Sequence, residues 1–159
     1  MNNLPPELDK TEKDILKILQ TSGRISNVEL AGKVGLSESP CFRRTKQLEE
    51  NGTISAYTAI LDQRQIGLQV TAFIQVSLNK QNEEETVEFL KKVAAEEHII
   101  ECHAMSGAYD YLLKVVTRNM DHFSELVMRQ ILKYPGVQDL ESHFSLKENK
   151  LSRALPIPA

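Results

Sequence analysis

Residues 35–52, GLSESPCFRRTKQLEENG, gather hydroxyls and cations into one short stretch. Ser37 and Ser39 precede Pro40, and Arg43, Arg44, Lys46 and Gln47 follow within two helical turns. That combination suits a polyanion. Amide donors at a helix N-terminus meet phosphate, a serine and an arginine reach base edges, and a lysine and a glutamine reach the sugar-phosphate backbone. A second stretch, SGAYDYLL at 106–113, places Gly107, Tyr109 and Asp110 ahead of an apolar run. An α-amino acid needs acceptors for its ammonium group and donors for its carboxylate, and a glycine hairpin beside an aspartate helps supply both. The same residues also fit a turn whose aspartate bonds only its own backbone.

The remaining reactive types lie in patterns that do not make a catalytic centre. Cys41 and Cys102 are far apart and form no CxxC pair, which argues against a disulfide framework and a zinc site; both are expected to be small buried hydrophobes. Cys102 and His103 are neighbours on a predicted strand, so they point to opposite faces and cannot pair as nucleophile and base. His98, Glu101 and His103 lack the spacing of a metal-ligand set. The expectation is a protein without enzymatic activity, metal or cofactor.

Composition agrees with a globular chain of one or two domains. Of 159 residues 41% are hydrophobic and 26% charged, and the formal net charge is -3. No apolar run approaches the length of a membrane span, and the N-terminal MNNLPPELDK has no signal-peptide pattern, so no membrane association and a cytoplasmic location are expected. Through residue 60, eight cations balance eight anions; the remaining eleven cations against fourteen anions carry the whole net charge. A neutral nucleic-acid-binding half must rely on local placement of its cations and on pairing of copies, because counterion release scales with the phosphates contacted.

Three helices must position the first cluster. Ile15, Leu16, Ile18 and Leu19 recur at helical spacing behind Asp9, a predicted N-cap, giving a helix over 10–21. Ser26 and Glu29 form a capping box for a second helix with Leu30, Ala31 and Val34 inside, and Gly35 turns the chain with Leu36 as a plug. The third helix starts at Ser37 or Ser39, with Ser39 as N-cap and Pro40 in the first position favoured. Cys41, Thr45 and Leu48 share its inner face, which turns Ser39, Arg43, Lys46 and Gln47 outward and sets Arg44 at the border.

The second cluster sits in a strand–helix alternation. Val70, Ala72, Ile74, Val76 and Leu78 mark one face of a strand, and Val87, Leu90, Val93 and Ala94 mark one stripe of the next helix. IIECHAM and YDYLLKVV flank Ser106-Gly107-Ala108 as a hairpin; DHFSELVMRQILKY is a helix ended by Pro135-Gly136, and VQDLESHFSL is the last strand. The order βαββαβ predicts an α+β chain with a ferredoxin-like second domain.

RISNVELAGKVGLSESPCFRRTKQLEENGTI, followed by AYTAILD and later by MSGAYDYLLKVV, closely resembles the Lrp/AsnC (leucine-responsive, feast/famine) family of transcription regulators. The resemblance runs from about Leu8 to the final LPIP, with Thr45 and Thr53 standing where the family usually has aliphatic residues. It implies a winged helix-turn-helix over Asn27 to Lys46. The expected contacts to double-stranded DNA are then Asn27, Ser37, Ser39, Arg43, Arg44, Lys46 and Gln47. It also implies a ligand-binding (RAM) domain that dimerises through its sheet, assembles further into an octamer, and takes a small amino-acid effector such as leucine or methionine between dimers. Gly107, Tyr109 and Asp110 would line that site, with Met120, His143 and Ser145 as further wall residues. The expected division is 1–60 for the DNA-binding domain, 61–69 for a linker, 70–150 for the effector and oligomerisation domain, and 151–159 for a C-terminal tail. Two other readings stand beside this one. βαββαβ is also the order of RNA-recognition modules, with Tyr109 and Tyr111 on one strand face for base stacking; a purely amino-acid-sensing module leaves the first 60 residues unexplained.

Overall fold

Capping chemistry sets the first helices of the computed structural model, which describes residues 7–79 and 82–158. Asp9 accepts from the Glu12 amide at 2.8 Å while the Glu12 carboxylate accepts from the Asp9 amide at 2.9 Å, and helix α1 spans Lys10–Thr21. Ser26 and Glu29 repeat this box at the start of α2, Asn27–Val34, and Gly35 closes that helix at φ +70°, a conformation that favours glycine. Helix α3 spans Glu38–Glu50.

The start of α3 corrects the expectation. Its N-cap is Ser37, so Ser39 and Pro40 already lie in the first helical turn. The ladder opens with the Cys41 amide donating to the Ser37 carbonyl at 3.2 Å. Pro40 therefore falls among the first amides, which have no partner within any helix, and its missing N–H costs no bond.

Ile15, Leu30, Ala31, Cys41 and Leu48 form the core of this unit, with Leu8, Leu19, Val34, Leu36 and Ile54 among the residues packed around it. Among the described residues no strand forms between α3 and the sheet, and Ile54 is held by its amide donating to the Leu48 carbonyl at 2.8 Å. The chain up to Ile60 is joined in one compact unit by residues from Lys150 onward; Leu61–Asn149 form the other. Segment 61–69 thus groups with the sheet and the C-terminal tail with the helices. The tail is fastened by Gln20, whose side-chain amide donates to the Leu155 carbonyl and accepts from the Leu155 amide.

The second unit runs β1 (Val70–Leu78), α4 (Glu83–Ala95), β2 (Ile99–Ala104), β3 (Tyr111–Thr117), α5 (Met120–Arg129) and β4 (Val137–Phe144). A 3-10 turn at Ile131–Lys133 precedes β4. The four strands lie in the order β2-β3-β1-β4, every neighbouring pair antiparallel, which is the ferredoxin-like arrangement. Ala72, Ile74, Val76 and Leu78 alternate into a core with Leu113, Val115, Phe123, Leu126 and Ile131.

Two expectations about this unit fail, and the rival RNA reading loses its premise. Helix α4 buries Phe89 and Val93, whereas Val87, Leu90 and Ala94 face solvent. The Phe89 ring packs 5.2 Å from the Tyr111 ring and 6.3 Å from the Tyr134 ring, and the larger area of that aromatic cluster sets the helix rotation. Cys102 is exposed because β2 is an edge strand. Tyr111 is packed in the core against Phe89 and Tyr109 precedes the strand, so the two form no stacking platform for RNA.

Candidate functional site

Helix α3 presents one polar face. Ser37, Ser39, Arg43, Lys46 and Gln47 are exposed, with Cys41 and Leu48 buried on the opposite side. Arg43 has no ion pair among the described residues. Lys46 Nζ lies 3.6 Å from Glu50 Oε1, both side chains well exposed, a contact that costs little to release.

Two of the expected contact residues are also engaged inside the unit. The Arg44 guanidinium bonds Asp9 and reaches Glu12 at 3.5 Å, so it ties α3 to the cap of α1. Bonding from the Glu12 amide, with a further contribution from Arg44, holds the Asp9 carboxyl below its ordinary range. Asn27 Nδ2 donates to the Glu38 carbonyl at 2.9 Å, joining α2 to the first turn of α3. Beside Cys41, the Thr45 hydroxyl is buried without a hydrogen-bond partner of normal geometry. Burial pushes the Cys41 thiol up, and the Thr45 side chain offsets this in part. Phe42, on the flank of the same helix, is 59% exposed.

The sensor candidates fall into two groups. At one end of β1 the Asp110 amide donates to the Val76 carbonyl at 3.0 Å, and Asp110 Oδ2 accepts from the Leu78 amide at 2.8 Å. The Leu78 amide lies where the β1–β4 register shifts. Gly107 takes φ +150° in this loop, with Tyr109 half-buried beside Asp110. At the other end, the Ser145 amide donates to the Thr71 carbonyl at 2.9 Å, one residue past β4, and His143 pairs with Phe73 on the uncovered face. Met120, exposed at the start of α5, follows the end of β3 that pairs with Val70. Between Thr71 and Val76 the strand advances about 16 Å at its ordinary rise. One protomer does not bring the two groups together.

The uncovered sheet face also carries charge. Glu101 bonds Lys114 at 3.0 Å and contacts His103 at 3.4 Å; these partners, Lys114 foremost, hold its carboxyl below the usual range.

A helix-turn-helix with cations on its outer face, in one chain with a ferredoxin-like sheet, is the architecture of a ligand-responsive DNA-binding regulator. Residues 8–55 match the family model for a winged helix-turn-helix DNA-binding domain, and residues 71–155 match the Lrp/AsnC ligand binding domain. The chain belongs to the Lrp/AsnC family of transcriptional regulators, which are not enzymes. It is 38% identical over 151 residues to the leucine-responsive regulatory proteins of Klebsiella pneumoniae and Escherichia coli K12, covering 95% of this chain and 92% of each relative. A transcriptional regulator from Neisseria meningitidis, solved in complex with L-methionine, superposes with a TM-score of 0.92 at 42% identity, over 94% of this chain and 97% of that one. An AsnC-family regulator from Agrobacterium tumefaciens gives 0.89 at 32% identity with the same coverages. No helix among the described residues is long and apolar enough to cross a membrane.

Proposed function

We propose that α3 enters the major groove of an operator, with Ser37 and Ser39 at its N-terminus, Arg43 reading a base, and Lys46 and Gln47 on the backbone. The observation that carries this is the contrast between adjacent arginines: Arg44 is spent on Asp9 and Glu12, whereas Arg43 is exposed and has no ion pair among the described residues. Asn27 and Arg44 then act mainly by fixing the angle of α3. The effector is a small apolar amino acid such as leucine or methionine; the Klebsiella relative is a leucine-responsive regulatory protein, and the Neisseria regulator was solved with L-methionine. Asp110 receives its ammonium group, Gly107 exposes backbone beside it, and Tyr109 supplies a wall. Met120, His143 and Ser145 complete the site from another copy, because the separation along β1 keeps them from Asp110 within one chain. The assembly is a dimer that stacks into an octamer, and it works in the cytoplasm where its operators are.

Arg43→Ala is expected to weaken operator binding by about 1–3 kcal/mol and to relax the preference at one base pair. Lys46→Ala weakens all sequences alike and reduces the salt slope by about 1. Unchanged affinity in both variants would remove α3 from the interface. For the effector, thermal-shift screening of the twenty amino acids, followed by sedimentation with the best hit, tests the assembly. A response to none of them would sink the sensor reading.

A further inference from the structure

We infer that Phe42 is a base-reading residue, its ring seated against the C5-methyl group of a thymine in the operator. Phe42 is 59% exposed and belongs to neither the core of its unit nor the apolar residues packed against that core. Residues three and four apart on a helix are surface neighbours, so Phe42 stands directly beside Ser39 and Lys46, with Arg43 adjoining. All three of those are exposed. A large apolar ring is therefore held out at the edge of the polar face proposed to meet DNA, about 100° round the helix from Cys41 and next to Ser39 and Lys46.

The flanking cations determine what that ring can meet. Arg43 and Lys46 draw the face towards phosphates, and among the base edges of the major groove the thymine methyl is the apolar group that distinguishes one pair from another. Arg43 then supplies hydrogen bonds while Phe42 supplies methyl contact on a neighbouring pair. The inference rests on α3 lying in the groove.

The test uses the full chain and an operator selected from random duplexes. Each thymine is replaced in turn by deoxyuridine, which deletes the methyl group and leaves the pairing intact. One position in each half-site is expected to weaken wild-type binding about 3- to 5-fold, the scale of one buried methyl group. Phe42→Ala should bind the thymine operator more weakly and lose all discrimination at that position; Phe42→Leu should retain part of it. A folded Phe42→Ala protein with unchanged affinity and an unchanged deoxyuridine profile overturns the inference. So does a variant that alters only sedimentation, because the ring would then face another protein copy. If Arg43→Ala is equally without effect, α3 is outside the groove and the proposed function falls too; loss at Arg43 with none at Phe42 overturns this inference alone.

Discussion

Replacing Asp110 separates two roles that one carboxylate can hold. Its Oδ2 accepts from the Leu78 amide at 2.8 Å, at a part-buried bulge where the ladder to β4 changes register. Asp110→Ala leaves that amide without this acceptor, and a lost hydrogen bond to a charged group costs about 1.5–3 kcal/mol. Asp110→Asn keeps a carbonyl oxygen for the amide and is expected to recover most of that loss. The ammonium role depends on charge, so the asparagine variant should lose the effector response although it folds. Urea denaturation measures the first quantity, and sedimentation with and without the amino acid measures the second. The coupling at stake, about 1–3 kcal/mol, shifts an assembly equilibrium by one or two powers of ten. An alanine variant as stable as wild type would refute the structural role. An asparagine variant that still responds fully would leave the carboxylate serving its strand alone.

Thr45→Val removes a buried hydroxyl without a good partner and keeps the shape, so it should stabilise the helical unit by about 1 kcal/mol, read as a raised urea midpoint. A thiol reagent should modify the exposed Cys102 before Cys41, which reacts only on unfolding, although burial raises both thiols; mass spectrometry of the labelled native chain resolves the order. Asp9 has a lowered folded pKa, so its stabilising effect is complete above its ordinary 3.8 and is lost as pH falls through the folded value. Circular-dichroism melts from pH 5 down to 2 should show this loss, and Asp9→Asn should flatten it.

Local signals were legible in the sequence wherever the physics is local. The Asp9 and Ser26 caps and the alternation of β1 are written within a few residues, and the elements form where those signals place them. What was not legible depends on partners distant in the chain. The rotation of α4 follows from Phe89 meeting Tyr111 and Tyr134, which no window around residue 89 contains. The exposure of Cys102 follows from strand order, and Arg44 is occupied by residues 32 and 35 positions earlier. Phe42 lies on the flank of α3, between the inner stripe and the polar face, where helical periodicity alone does not decide exposure.

The Gln20 clamp on Leu155 is a tie the helical unit can make only at the end of synthesis. Folding on the ribosome ordinarily proceeds by domains, the N-terminal one first. Here α1 to α3 emerge early, yet the residue that ties the tail to them lies 135 residues beyond Gln20. The sheet unit, contiguous from Leu61 to Asn149, has every residue it needs before Leu155 appears. Both cores are thus complete in sequence before the clamp can form, and the tail closes onto helices already packed. A nascent or truncated chain ending before Leu155 holds every residue of both cores and lacks only this clamp.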